Sequence, residues 1–437
     1  MQTMGAFADL IDDDERQFRV HASIYDDADV FAAEMRNIFG RTWVYVGHES
    51  EIPTVGDYTT TAIGQQPVVV SRHEDGRIYV LLNRCRHRGT VVCRDERGHS
   101  NFFRCPYHNW VYRNDGGLVG VSMADGYEED LDTDALSLQQ VPRVDTYRGL
   151  IFASLAEEGP SLHEHLAPVK PYIDLWANRS PEGSITMLPT NHKYPYPGNW
   201  KWQAENGADG YHGNYVHESW QKVLQRAGEA KVKEVRKFRS VGCTRGLGNG
   251  HGLLERPGGM NPASSWTGRM MDRYPEYAES LRARFSEEEI DAISARRNIF
   301  VFPNIYLFDT HVRVIHPINP RYTEVRLYVY ALDGVPDGLN EGRYRAHERF
   351  YGPSGFGSPD DLEVFAGNQT GMQATAVDWV MLNRGQHRER IEGGERIGHS
   401  SDEAPTRELY REWKRLMAAE EPAAADPGVA SPEVQHG

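Results

Sequence analysis

The amino-acid sequence predicts an α+β protein in which a small all-β domain precedes a larger domain built from an antiparallel sheet and helices. Short alternating runs rich in Val, Ile, Tyr and Phe, separated by turn clusters, occupy residues 41–158; this pattern is typical of an all-β module. Helical and strand periodicities occur side by side in residues 159–417, which indicates mixed structure. The length of 437 residues suits two or three domains.

The two ends of the chain differ from both domains. Residues 1–40 read as an acidic lead-in followed by an amphipathic helix, which we expect to pack on the larger domain. The apolar face of this helix contains Val30, Phe31, Met35, Ile38 and Phe39. Residues 418–437 lack an apolar face and predict a disordered tail.

Periodicity also predicts elements within the larger domain. Helices are expected over Glu205–Leu224, Ser286–Arg296 and Pro359–Met372, and strands over Ile299–Leu307, Val312–Pro317 and Glu324–Leu332. The glycine-rich segment GLGNGHG at 246–252 follows no clear strand and lacks a dinucleotide-binding fingerprint. We therefore interpret it as a flexible loop near the substrate pocket, and expect no nicotinamide site in this chain.

Composition excludes several classes of function. A net charge of −15 without a basic stripe argues against a nucleic-acid partner. No apolar run approaches the roughly 18 residues of a membrane-spanning helix, so no membrane partner is expected. The opening MQTMGAFADLIDDDER carries neither a basic n-region nor an apolar h-region, which favours a cytoplasmic location. Four cysteines in so long a chain indicate metal ligands or buried thiols rather than disulfides.

The densest chemistry lies in two short Cys-His segments. Each follows a predicted strand and supplies one thiol and one imidazole, from Cys85 and His87 in the first segment and from Cys105 and His108 in the second. Such a donor set can hold a Rieske-type [2Fe–2S] cluster, with sulfur ligands on one iron and histidines on the other. A Cys₂His₂ zinc site uses the same ligand types, but the one-of-each arrangement in both loops favours the cluster.

Three further residues, Trp110 and the two other cysteines, are interpreted as having structural roles. Trp110, directly after the second segment, suits a lid that shields the cluster. Cys93 and Cys243 have no partner at ligand spacing, and we expect both to be buried apolar side chains.

A second constellation is formed by Asp209, His212 and His217. Asp209 and His212 are three apart and would share a helical face. The two histidines are five apart, about 140° on an ideal α-helix, so reaching one metal requires a distortion such as a π-bulge. Glycines that could permit this distortion are Gly207, Gly210 and Gly213.

Two histidines and one carboxylate form the facial triad of non-haem iron oxygenases. Spacing does not decide which carboxylate completes the triad, because Asp209 is a local candidate and Asp360-Asp361 is a remote one. The alternative is that these are two ordinary helix histidines without a metal. The presence of the Cys-His segments in the same chain disfavours it.

These motifs together resemble the α subunits of Rieske non-haem iron ring-hydroxylating oxygenases. The resemblance rests on a specific pattern: Cys-x-His, then seventeen residues (88–104), then Cys-x-x-His. ENGADGYH followed by His217, and SPDDLEVF at 358–365, look most like the benzoate, toluate and anthranilate dioxygenase branch, with salicylate hydroxylases as relatives. The similarity extends from about Val20 to Met417.

The resemblance implies a helix-grip catalytic domain, in which an antiparallel sheet encloses a long helix. It implies cluster ligands at Cys85, His87, Cys105 and His108, and mononuclear iron ligands at His212, His217 and Asp361. Asp209 would bridge an iron histidine to a cluster histidine of the neighbouring subunit. The family usually has glycine after the second cluster histidine, where this chain has Asn109.

The implied activity is that of a terminal oxygenase. It would use O₂ and electrons from NADH, delivered by a separate reductase and, in some systems, a ferredoxin, to cis-dihydroxylate an aromatic carboxylate. An α₃ or α₃β₃ assembly is expected. Monohydroxylation or demethylation of another aromatic, and a non-catalytic Rieske electron carrier, are the alternatives.

A carboxylate substrate calls for a cationic anchor. Arg313 in the predicted strand HVRVIHP is the first candidate, with a structural ion pair as the alternative role. Arg256 and Arg269 are weaker candidates.

Overall fold

Short strands dominate the first part of the chain, and long strands with helices dominate the rest. The computed structural model of the protein describes residues 7–127, 131–228, 242–258 and 265–418. The α-helices are α1 (Ala28–Glu34), α2 (Leu162–Leu166), α3 (Lys170–Ala177), α4 (Trp200–Asn206), α5 (Glu218–Arg226), α6 (Trp266–Arg273), α7 (Pro275–Arg282), α8 (Glu287–Ser294), α9 (Asp337–Tyr351), α10 (Gly357–Gly371) and α11 (Ala404–Met417). The strands are β1 (Ile11–Asp13), β2 (Phe18–His21), β3 (Val44–His48), β4 (Asp57–Ile63), β5 (Gln66–Arg72), β6 (Ile78–Leu82), β7 (Arg97–His99), β8 (Phe102–Arg104), β9 (Val111–Arg113), β10 (Leu118–Gly120), β11 (Arg143–Tyr147), β12 (Leu150–Ser154), β13 (Ile185–Tyr196), β14 (Cys243–Gly248), β15 (His251–Arg256), β16 (Arg296–Val301), β17 (Ile305–Leu307), β18 (His311–Asn319), β19 (Tyr322–Leu332), β20 (Trp379–Met381), β21 (Arg390–Glu392) and β22 (Glu395–His399).

The first part of the chain forms small antiparallel sheets. Their strand orders are β6-β5-β4-β7, β10-β9-β8 and β11-β12-β3. Val69, Leu81, Phe103 and Tyr112 belong to one buried cluster between the first two sheets. Alternate side chains of each strand therefore face a common core, as the sequence pattern predicts.

The second part is organised by a nine-stranded antiparallel sheet with the order β13-β19-β18-β17-β16-β15-β14-β22-β21. Trp176 of α3 and Tyr277 of α7 pack with Val312 and Val314 of β18 on one face. On the other face α11 lies along β14 and β15, and its Trp413 is fully buried. A sheet that encloses a long helix is the helix-grip arrangement, so the α+β fold class is confirmed.

The N-terminal helix α1 is hydrogen-bonded to α4 and α11 of the large domain. α1 continues into a π-helical turn at Met35–Phe39. The fully buried carboxylate of Glu34 accepts hydrogen bonds from Lys201 Nζ at 2.6 Å, Trp200 Nε1 at 2.8 Å and Trp413 Nε1 at 2.7 Å. Removing one partner of such a buried pair typically costs about 3–5 kcal/mol. Glu34 therefore fixes the N-terminal segment, α4 and α11 to one another.

The glycine-rich segment at 246–252 is a hairpin, so the loop prediction is wrong. β14 and β15 pair with Gly246 opposite Gly252 inside the large sheet. A Cβ at Gly252 would lie 2.7 Å from Cβ of Pro405, the second residue of α11. Gly250, with φ +77°, forms the turn. The glycines let the helix approach the sheet closely.

Other predicted elements shift in their bounds. The predicted strand 299–307 is a hairpin of β16 and β17, and α8 ends before Arg296, which begins β16. Cys93 is buried as expected, whereas Cys243 is only half-buried. Beyond residue 418 the predicted tail lies outside the described residues, and the domain boundaries stay a prediction. Within the described ranges, no helix is both long and apolar enough to cross a membrane.

Candidate metal centres

The two Cys-His loops have the same backbone geometry. In the first, the Gly89 N–H donates to the Cys85 carbonyl at 2.9 Å, and in the second the Asn109 N–H donates to the Cys105 carbonyl at 3.0 Å. Gly89 has φ +76° and Asn109 has φ +56°. This left-handed conformation favours glycine, and asparagine is among the residues that tolerate it best. Asn109 therefore suits the turn in which the family usually has glycine.

The four predicted cluster residues lie together at the tips of these loops. Cys85 and Cys105 are buried, and the rings of His87 and His108 are 4.5 Å apart. The buried Trp110 stacks on His87, with centroids 5.1 Å apart and planes at 8°. Trp110 thus shields one imidazole, as expected for a lid.

The spread of these donor atoms suits a binuclear cluster better than one zinc ion. A zinc ion binds all four ligands at about 2.0–2.3 Å, which brings the ligand atoms close together. Among the described residues, two groups of three potential ligands can each place one ligand atom per residue within 4.8 Å of the others. Neither group contains a residue of the two Cys-His loops. Nδ1 of His87 is buried without a hydrogen-bond partner in the described part of the chain. These observations fit a [2Fe–2S] group with Cys on one iron and His on the other.

Tyr112 is a residue beside the cluster site that the spacing of motifs did not reveal. Its hydroxyl accepts the Arg86 N–H at 3.1 Å and lies 3.3 Å from Cys85 Sγ. Because the hydroxyl oxygen already accepts a hydrogen bond, its own proton is free to point at the sulfur.

We expect Tyr112→Phe to lower the reduction potential of the cluster, because a hydrogen bond to a ligating sulfur stabilises the more negative, reduced state. A redox titration followed by the EPR signal of the reduced cluster measures this shift. Tyr58→Phe is the matched control, since Tyr58 packs edge-on against Phe103 in the same core, 5.2 Å away. Equal potentials in wild type and Tyr112→Phe would contradict the expectation.

The histidines of the second constellation stand outside regular helix. α4 ends at Asn206, a 3₁₀ turn spans His212–Asn214, and α5 begins at Glu218, directly after His217. The predicted continuous helix and its π-bulge are therefore wrong. A Cβ at Gly207 would overlap the ring of Tyr306, and one at Gly210 would overlap the Ser400 carbonyl. These glycines are required by close packing against distant segments.

α10 brings the remote carboxylate to both histidines. Asp361 Oδ1 lies 3.6 Å from His212 Nε2 and 3.4 Å from His217 Nε2. One ligand atom from each of the three residues lies within 4.8 Å of the other two. Asp209 instead approaches the opposite ring nitrogen, with Oδ2 3.0 Å from His212 Nδ1. The geometry suits a metal held by the two Nε2 atoms and Asp361, with Asp209 behind His212.

The charges around His212 favour this arrangement. Burial alone would raise the pKa of Asp209, but hydrogen bonds from the His212 ring and from backbone N–H groups lower it overall. Burial alone would lower the pKa of His212, but Asp209 and Asp361 raise it overall. Asp209 thus holds the Nδ1 proton and leaves Nε2 directed at Asp361, where a metal ion can replace a proton.

Two further polar residues contact the candidate ligands: Asn206, which spacing missed, and Asp360, which was considered with Asp361 as the remote carboxylate. Asn206 Nδ2 lies 3.3 Å from both His212 Nε2 and Asp361 Oδ1. Asp360 Oδ2 lies 3.6 Å from His217 Nδ1. Both belong to the family-like motifs, but no general rule of spacing gives them a role.

The three candidate anchor arginines differ in their surroundings. Arg313 is only 4% exposed, lies over Phe308 at 4.6 Å and over Tyr351 at 5.4 Å, and its Nε has no hydrogen-bond partner among the described residues. Burial and a neighbouring arginine lower the pKa of Arg256 to about 10, and its charge acts on His212. Arg269 is exposed. The structural ion pair considered for Arg313 is not found within the described residues.

One chain thus combines a Rieske-type donor set with two histidines and a carboxylate in a helix-grip domain, which defines an oxygenase of the Rieske non-haem iron class. Residues 42–136 match the Rieske [2Fe-2S] domain, and residues 189–419 match the ring hydroxylating alpha subunit (catalytic domain). The chain belongs to the family of ring-hydroxylating dioxygenase α subunits. The predicted [2Fe–2S] cluster, mononuclear iron and NADH-dependent electron supply are confirmed by this membership, and the zinc and electron-carrier alternatives are wrong.

Similar proteins cover most of the chain. The 2-halobenzoate 1,2-dioxygenase large subunit of Burkholderia cepacia is 35% identical over 84% of this chain and 80% of its own length. The anthranilate 1,2-dioxygenase large subunit of Acinetobacter baylyi is 32% identical over 85% of this chain and 81% of its own length. A solved structure of naphthalene 1,2-dioxygenase with bound indole superposes with a TM-score of 0.82 at 26% identity, covering 92% of both chains.

Proposed function

We propose that this α subunit hydroxylates an aromatic carboxylate of the benzoate type, whose carboxylate is bound by Arg313. The buried guanidinium without a counter-ion among the described residues is the observation that carries the proposal. An unpaired buried charge is strongly destabilising, and a substrate carboxylate would neutralise it. The similar 2-halobenzoate and anthranilate dioxygenases are named for aromatic carboxylates, which supports the same substrate class here.

Aromatic contacts connect Arg313 to the candidate iron ligands. The ring of His217 lies 5.1 Å from Phe350, which lies 4.7 Å from Tyr351. Tyr351 in turn lies under the guanidinium of Arg313. A substrate held by its carboxylate at Arg313 would lie on the same run of aromatic side chains that reaches His217.

The proposed roles of the metal-site residues follow the family. Cys85, His87, Cys105 and His108 would hold the cluster, and His212, His217 and Asp361 the mononuclear iron. When bound, the cluster supplies electrons and the iron activates O₂ at positions left open by a three-residue ligand set. Asp209 would fix the tautomer of His212.

We further propose that electrons pass between chains of a trimer, α₃ or α₃β₃, after delivery by a reductase. The side chain of Asp209 is 29% exposed. Its hydrogen bonds and ion pairs within the described ranges reach His212 and the Tyr211 N–H, not the cluster loops. Asp209 is half-buried, and its partly exposed carboxylate is thus available to a cluster histidine of a neighbouring chain.

We expect Arg313→Met to weaken benzoate binding by about 10- to 100-fold, because a hydrogen bond to a charged group contributes about 1.5–3 kcal/mol. Calorimetric titration of the oxidised, metal-loaded protein measures the Kd. Arg269→Met, which removes an exposed arginine, is the control and should bind benzoate like wild type. Product analysis with benzoates, salicylates and phthalates identifies the substrate and separates cis-diol from monohydroxylated products. Unchanged affinity in Arg313→Met would refute the anchor.

A further inference from the structure

His311 lies beside Arg313 and carries an unsatisfied polar atom. The two residues are two apart on β18, so their side chains leave the same face of the sheet. His311 is fully buried, and its Nε2 has no hydrogen-bond partner among the described residues. Buried polar atoms are nearly always hydrogen-bonded in folded proteins, so this nitrogen points to a ligand.

The other ring nitrogen of His311, Nδ1, contacts the hydroxyl of Thr310. Thr310 Oγ1 lies 3.3 Å from His311 Nδ1 and 3.2 Å from His347 Nδ1. A hydroxyl has one proton and can donate it to one of these nitrogens while accepting from the other. When Thr310 donates to His311 Nδ1, the neutral His311 ring carries its proton on Nε2. Burial, then the charges of His347 and Arg313, lower the pKa of His311 well below its usual value, so the ring is neutral. In the tautomer in which Thr310 donates to Nδ1, the Nε2–H is a donor.

Aromatic packing fixes the plane of the ring. His311 stacks on Phe308 with centroids 4.6 Å apart and planes at 10°, and contacts Tyr351 at 4.5 Å. Arg313 lies over the same two rings. One aromatic wall therefore carries two buried groups, an imidazole and a guanidinium, and each has a nitrogen without a hydrogen-bond partner in the described part of the chain.

We infer that His311 is a specificity-determining residue of the substrate site, and that its Nε2–H donates a hydrogen bond to the carboxylate that Arg313 neutralises. This inference rests on the proposed substrate class and adds a second point of recognition to it. An uncharged hydrocarbon would leave both donors unpaired, and sites with buried polar groups strongly reject ligands that cannot satisfy them. The pair would therefore select aromatic carboxylates over neutral aromatic rings.

The test compares two substitutions that differ in reach. The amide of glutamine can place an N–H near the position of Nε2, whereas the shorter asparagine can replace only Nδ1 and its bond to Thr310. In the metal-loaded, oxidised protein, we expect His311→Asn to raise the Kd for benzoate about 10-fold and His311→Gln to stay within about threefold of wild type. The Kd for toluene, an uncharged hydrocarbon of similar shape whose methyl group cannot accept a hydrogen bond, should change in neither variant. In turnover, His311→Asn should raise KM more than it lowers kcat.

His316→Asn is the matched control for loss of a buried histidine. His316 lies on the same strand, is 4% exposed and also has an unpartnered Nε2 among the described residues. It is five residues from His311 and lines a groove with Thr60 and Cys93 of the small domain, so benzoate affinity should not change.

Each outcome has one meaning. Equal benzoate affinities in wild type, His311→Asn and His311→Gln overturn the inference, as does an equal loss for benzoate and toluene. If wild type does not bind benzoate, or Arg313→Met binds it normally, the proposed substrate class or its anchor fails instead. Weak binding by both His311 variants, with Arg313→Met behaving as expected, would assign the histidine a packing role and refute hydrogen bonding.

Discussion

Asp361→Ala is expected to abolish oxygenase activity and to release the mononuclear iron while the cluster remains. Its Oδ1 is the carboxylate oxygen that faces Nε2 of both His212 and His217, at 3.6 and 3.4 Å. Alanine would leave two imidazoles, too few for a triad. Metal analysis should show the loss of about one iron per chain with an unchanged EPR signal of the reduced cluster.

Asp360→Ala is the control for this substitution. Asp360 is adjacent in sequence but approaches the outer nitrogen of His217, with Oδ2 3.6 Å from Nδ1. Loss of such a supporting group weakens metal binding by about 10- to 100-fold, so the iron should be retained when Fe(II) is supplied in excess. Retention of iron by Asp361→Ala, together with its loss from Asp209→Ala, would show that the local carboxylate completes the triad.

Asp209→Ala is expected to retain both metal centres but to lower turnover by about 10- to 100-fold. The substitution removes the acceptor 3.0 Å from His212 Nδ1 and with it the proposed polar link to the next chain. A chemically reduced cluster should then fail to reoxidise when substrate and O₂ are added. Rapid reoxidation in this variant would rule out a role for Asp209 in electron transfer.

Mixed assemblies separate transfer between chains from transfer within one chain. Chains with Asp209→Ala keep a working cluster, and chains with Cys105→Ala keep a working iron site. Co-assembled chains should show activity well above that of either variant alone, because the intact cluster of one chain can reduce the intact iron site of its neighbour. No recovery in verified mixed trimers would favour a route within one chain.

The sequence identified the candidate metal ligands that the structure brings together where chemistry and local spacing coincide. Each Cys-His loop is one tight turn, so its donors are close in sequence as well as in space. The carboxylate could not be chosen by spacing, because Asp361 reaches His212 only through the packing of α10. Periodicity likewise predicted a continuous helix at this point. The helix instead ends at Asn206, because Gly207 packs closely against Tyr306. Contacts between distant segments also turned the expected loop at 246–252 into a hairpin.

The buried Glu34 carboxylate has a consequence for biosynthesis. Lys201 of α4, the helix that precedes the candidate iron ligands, has its counter-ion 167 residues earlier in the chain. The indole of Trp413, which shares this carboxylate, lies 379 residues after Glu34. During translation from the N-terminus, the Rieske domain can fold while α4, next to the candidate iron ligands, still lacks this last partner. We therefore expect ribosome-bound chains that stop before α11 to acquire a cluster before they acquire a stable iron site.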